Sequence, residues 1–160
     1  MMLTGRYHEY EITISHDPTY SHGSADNPQT YDREYRLNSI GPNDGVANLA
    51  IRVSDEIEEI GSCILRASGG VTAIHRGAVL FKDDVVFLAV GPIVAAVSIP
   101  GLDLIWTLMV DRFQCEELHH DVKRNCLVSR GSNEIMCFNG QGTALWTIDG
   151  SYRYSKGFTL

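Results

Sequence analysis

Apolar and polar residues alternate with a period of two through several separate stretches of the chain. Tyr10, Ile12 and Ile14 alternate with Glu9, Glu11, Thr13 and Ser15, and Ala47, Leu49, Ile51 and Val53 alternate with Asn48, Ala50 and Arg52. Successive side chains of a pleated strand point to opposite faces, so each stretch predicts a strand with one buried side. Tyr35 and Leu37 predict a return strand. It lies between a polar loop, Ser15 to Asp32, that holds His16, Asp17, His22 and Pro28, and the turn Gly41-Pro42-Asn43-Asp44-Gly45. Residues 54–65 read two ways. Asp55 and Glu58 stand at capping-box spacing with Ile57, Ile60 and Ile64 on one helical face, which predicts a short helix near 54–62. Ile60 to Leu65 also read as a strand closed by Ser68-Gly69-Gly70.

Val85 to Leu102 carry no charge, enough residues to approach a membrane-spanning helix. Gly91-Pro92 and Pro100-Gly101 interrupt the run, valine and isoleucine dominate it, and aspartates flank it. It therefore predicts two buried strands joined by a turn, and no membrane association. An internal repeat follows from the same region. Val94 to Thr107 resembles Ile135 to Thr147, each copy a strand, a glycine-containing turn and a strand ending in Trp-Thr. Trp106 and Trp146 are separated by the length of one four-stranded blade unit. The core of each copy is expected from Val97, Leu104 and Trp106 in the first and Phe138, Leu145 and Trp146 in the second. A single small antiparallel unit cannot bury both its faces, so the copies are expected to stack.

Asn139-Gly140-Gln141-Gly142-Thr143-Ala144-Leu145-Trp146 resembles the turn-and-tryptophan segment of quinoprotein-type β-propeller blades, and the likeness covers residues 77–150. Ser98 to Trp106 also resembles a Ser-Ile-Pro-x-Leu-x-Leu-x-Trp run of small bacterial proteins. The first resemblance implies two blade-like units, about 77–112 and 114–150, and the second implies no activity. Two blades cannot close a ring, which takes four to eight, so no quinone cofactor site is expected. Two architectures stay open: an incomplete stack of blades covered by the N-terminal zone, or a two-sheet sandwich with a repeated hairpin. In either case the fold class is mainly β with antiparallel sheets, one domain over 1–160. Its zones are an N-terminal strand and loop zone (1–45), a connecting zone (46–76), the tandem repeat (77–150) and a C-terminal tail (151–160).

Charge narrows the function classes. Twenty acidic against thirteen basic residues give a net charge of −7, which repels a phosphate backbone and favours a basic protein partner. No nucleic acid is expected to bind. The first residues lack the apolar stretch of a secretory leader, and four cysteines without a CxxC spacing read as reduced, so a cytoplasmic location is expected. Candidate chemistry is sparse. Cys115, His119 and His120 combine zinc-ligand types, although adjacent strand residues face opposite ways. His16, Asp17 and His22 in the polar loop, and His75 between glycine-rich segments, are further candidates with ordinary structural readings. No nucleophile elbow, P-loop or dinucleotide fingerprint occurs. The residues point to a non-catalytic binding or inhibitory module, comparable with acidic immunity proteins that cover basic toxins. A metal-assisted enzyme and a self-assembling domain are the alternatives, and a homodimer is expected from an uncovered sheet edge.

Overall fold

The computed structural model describes residues 2–150; the C-terminal tail expected at 151–160 lies outside them. The chain is mainly β and forms three sheets. The first has five strands in the order β1-β2-β4-β5-β3: β1 (Met2–Tyr7), β2 (Tyr10–His16), β3 (Arg33–Arg36), β4 (Val46–Ser54) and β5 (Glu59–Ser68). The strand expected at Tyr35 does return to this sheet, but it pairs with β5 in parallel. The second sheet is the meander β6 (Val79–Lys82), β7 (Val85–Val90), β8 (Ile93–Ser98) and β9 (Leu104–Met109). The third repeats it as β10 (Cys115–Asp121), β11 (Cys126–Gly131), β12 (Glu134–Phe138) and β13 (Ala144–Asp149).

Residues 54–65 are a hairpin, which corrects the short helix expected near 54–62. Asp55 supplies its carboxylate to Ile57 N–H (2.7 Å) and Glu58 N–H (2.9 Å), but its own N–H bonds back to Glu58 O (3.0 Å), so the cap closes a tight turn. Ile57, placed on the expected apolar helix face, is 92% exposed. A side chain that gains no burial gives a helix no reason to continue.

The sheets lie in three layers. Val86, Leu88, Val90, Ile93, Ala95 and Val97 face the first sheet in one core, while Phe87, Ala89, Val94 and Ala96 face the third sheet in another. The middle sheet is covered on both sides, which explains why its strands read as an uninterrupted apolar run. Ile64 and Ala50, on the far face of the first sheet, are also buried. There Arg52 lies over the ring of Tyr31 (5.0 Å) and Arg66 over that of Tyr20 (5.6 Å), both rings carried by the polar loop.

The repeat extends to detail. The β8–β9 ladder shifts register between Ala96 and Val97, and the β12–β13 ladder between Cys137 and Phe138, so Ala96–Trp106 and Cys137–Trp146 are equivalent pairs. Trp106 packs against the turn of the next unit: its indole N–H donates to Gly140 O (3.0 Å), and a Cβ on Gly142 would come within 2.6 Å of the ring. Gly142 has φ +79, so glycine answers both the backbone and the close approach. Val97 and Phe138 are buried and Leu104 is half-buried, as expected of repeat core residues. Trp146 and Leu145 are not core, being 45% and 56% exposed. Trp146 has no following unit to cover it among the described residues, and Leu145 sits at the bulge, as does the exposed Ile105 of the first unit.

Asp111 joins the two units. Its carboxylate, 1% exposed, accepts N–H bonds from Phe113 (2.7 Å), Gln114 (3.0 Å), Asn133 (2.8 Å) and Glu134 (2.8 Å). It thereby ties the β9–β10 connection to the β11–β12 turn.

Candidate functional site: an acidic rim of turns

Antiparallel pairing brings four turns to one end of the molecule. Tyr7 pairs with Tyr10 across the His8-Glu9 turn, and Glu11 pairs with Ser54, so the β4–β5 turn stands beside it. The β6–β7 turn, Asp83-Asp84, joins them through Tyr7 Oη, which accepts Asp84 N–H (3.0 Å), and His8 Nε2, 3.1 Å from Asp84 Oδ1. The β8–β9 turn completes the row, since Ile99 N–H donates to Asp84 O (2.9 Å). Local sequence suits these turns. Asp83 and Asp84 both take positive φ (52° and 60°), the two-residue hairpin geometry that aspartate tolerates better than most residues.

The turns carry Glu9, Asp55, Glu56, Glu58, Asp83, Asp84 and Asp103, with Glu11 and Glu59 at the adjoining strand ends. Arg6 pairs with Glu56 (3.2 Å), Arg52 with Glu59 (2.7 Å) and Arg33 with Asp103 (2.5 Å), so the few nearby cations are already engaged. Tyr10 closes the His8-Glu9 turn opposite Tyr7. Its hydroxyl is held above the usual tyrosine value by partial desolvation, by Glu9, and by the charges of Asp55 and Asp84 from two other turns. Asp55 has the opposite shift, because the N–H groups of Glu58 and Ile57 stabilise its anion. Apolar groups interrupt the acid. Ile57 projects from the tip and Ile60 is 43% exposed. Two grooves of about 310 Å³ each meet at Pro100, one lined by His8, Glu9, Tyr10, Asp84 and Ile99, the other by Asp32, Arg33, Ile60, Gly61, Ser62 and Leu102. Such a surface can hold guanidinium or ammonium groups beside apolar side chains.

The residues singled out from sequence lie elsewhere. Cys115 is fully buried between the second and third sheets, with Sγ near Glu117 O (3.7 Å), and burial pushes its thiol far up. His119 and His120 are consecutive in β10 and face opposite ways: His119 Nε2 meets Glu117 (3.2 Å), while His120 Nε2 is buried without a hydrogen-bond partner. The candidate metal trio therefore does not converge, and among the described residues no group of three His, Cys, Asp or Glu side chains is placed to hold a metal ion. His16, Asp17 and His22 also separate. His16 Nε2 is 2.7 Å from Thr72 O, Asp17 accepts from Tyr31 Oη (2.7 Å), and His22 Nδ1 is 2.8 Å from Glu34. Burial raises the Asp17 carboxyl, but the donors Thr19 and Tyr31 outweigh it and hold it below its ordinary value. These contacts fasten the polar loop to the first sheet. His75 caps the 3-10 turn Arg76–Ala78 by accepting Gly77 N–H at Nδ1 (3.1 Å), with Nε2 2.9 Å from Glu116 O.

The sequence does not bring the acidic rim together, because its carboxylates lie in four separated segments, at Glu9, Asp55–Glu58, Asp83-Asp84 and Asp103; the only local signal is that they cluster between apolar runs. No helix among the described residues is long and apolar enough to cross a membrane. No protein-family model and no curated protein matches the chain.

Proposed function

We propose that this protein is a non-catalytic binding module that presents its acidic rim to a basic protein, covering that partner in the manner of an inhibitor. The observation that carries the reading is the convergence of four acidic turns at one end of the molecule, with Ile57 exposed at the tip of one of them. Carboxylates already aligned in one field steer a cationic partner and speed its association. Ile57, Ile60 and Pro100 supply apolar area that desolvates as the surfaces close. The proposed compartment is the cytoplasm, in keeping with four buried cysteines that form no disulfide. Self-association is a second reading, favoured by the edge strand β13, where Leu145, Trp146 and Ile148 are exposed.

The test is a paired capture from native lysate at low salt, using the wild type and a rim variant with Glu56→Gln, Ile57→Ser and Glu58→Gln. None of these side chains is buried, so the variant stays folded. A basic protein held stoichiometrically by the wild type, lost from the variant and released as ionic strength rises supports the proposal. Identical recovery by both proteins refutes it.

A further inference from the structure

The edge strand β1 lacks one side chain where its pattern calls for one. Leu3, Gly5 and Tyr7 pair with Ile14, Ile12 and Tyr10 on the core-facing side of the first sheet. Leu3 and Tyr7 fill their positions, whereas a Cβ added to Gly5 would meet nothing within 4 Å. Gly5 is not among the glycines at positive φ, so its backbone conformation does not require glycine. A glycine inside a strand weakens it, and such positions often mark the approach of a ligand. The missing side chain leaves an open crevice of about 230 Å³ between β1–β2 and β6, lined by Leu3, Ile12, Ile14, Val79 and Phe81. Tyr7 stacks on Phe81 (5.2 Å) beside it.

Arg76 also lines this crevice. Every other arginine among the described residues donates a side-chain hydrogen bond: Arg6, Arg33, Arg52, Arg66, Arg112, Arg124 and Arg130 to carboxylates, Arg36 to carbonyls. Arg76 alone makes none. Its turn is fixed by the His75 cap, so the free guanidinium stands beside an apolar cleft in a chain of net charge −7.

We infer that the crevice binds a small amphiphilic carboxylate, its aliphatic chain lying over Gly5 and its carboxylate on Arg76. A guanidinium is suited to bidentate contact with a carboxylate, and the apolar wall favours hydrocarbon over water. At about 30 Å³ per non-hydrogen atom, the share of one water in the liquid, the crevice takes roughly eight such atoms, which selects acids of about six carbons, the end of a longer chain projecting into solvent.

The test is calorimetric titration with butanoate, hexanoate and octanoate, with octanol as the uncharged control. Affinity is expected to tighten about threefold to fourfold per methylene until the crevice is full. Octanol is expected to bind at least tenfold more weakly than octanoate, and Arg76→Gln to bring octanoate down to the octanol level. Gly5→Ile places a side chain in the crevice and is expected to abolish binding of all four compounds. Arg76→Gln is a surface change that leaves the core untouched, so it decides the carboxylate contact even should Gly5→Ile fail to fold. Absence of octanoate binding, affinity independent of chain length, or octanoate bound equally by wild type and Arg76→Gln would overturn the inference.

Discussion

Replacing Asp111 with asparagine tests the tie between the two repeat units. Oδ1 of Asp111 receives the N–H groups of Phe113 and Gln114, and Oδ2 those of Asn133 and Glu134. Asparagine keeps one oxygen and turns an NH2 group towards the other pair, so two backbone donors face a donor in a site that is 1% exposed. At about 1–3 kcal/mol for each unsatisfied buried group, and with some relaxation, the cost is about 2–4 kcal/mol. Against a total stability of roughly 5–15 kcal/mol, urea unfolding followed by tryptophan fluorescence resolves that loss as a lower midpoint at pH 7. The pH dependence adds a second check. Burial alone raises the Asp111 carboxyl, but the backbone donors outweigh it, and the folded value lies below the ordinary one. A depressed folded value contributes stability that is full above the unfolded value of about 3.9 and fades as pH falls towards the folded one. The difference between wild type and Asp111→Asn is therefore expected to narrow below about pH 4. A midpoint unchanged at pH 7, or a difference that stays constant into acid, would refute the reasoning.

The equivalent tryptophans are expected to respond unequally. Trp106→Ala removes a packed indole and its bond to Gly140 O and should cost about 3–5 kcal/mol, whereas Trp146→Ala should cost about 1 kcal/mol or less. Equal losses in thermal unfolding would contradict the stacking direction, and a dimer that dissociates on Trp146→Ala would favour self-association instead. Tyr31→Phe removes the hydroxyl that donates to Asp17 and should lower stability by about 1–2 kcal/mol. Burial and the Asp17 charge push the Tyr31 hydroxyl up to about 12. The stability linked to that raised value is full below about pH 10 and is lost as pH rises towards 12, so ultraviolet titration of Tyr31→Phe should lack one of the late-titrating phenols of the wild type.

Much of the fold was legible along the chain. The alternation at Tyr10–Ser15 and Ala47–Val53 gave β2 and β4, and the uncharged run gave β7 and β8 with their turn at Gly91-Pro92. The repeated Trp-Thr strands marked two like units, and the structure adds that they share a register shift at the same pair. Residues 54–65 were ambiguous because a capping residue at Asp55 serves a helix and a tight turn equally well. His119 and His120 were legible as a poor ligand pair from strand geometry alone, whereas the burial of Cys115 depends on a sheet packed over it.

The strand-rich class, the repeat and the excess of acid are readable along the chain, because periodicity, turn chemistry and charge are properties of neighbouring residues. That the turns carrying Glu9, Asp55, Asp84 and Asp103 meet at one rim, that Trp106 is covered while Trp146 is not, and that Gly5 leaves a cleft beside Arg76 emerge only once the sheets are paired and packed. Those outcomes depend on pairing register and layer order. Both are fixed by burying apolar faces far apart in the chain, and no local pattern encodes them.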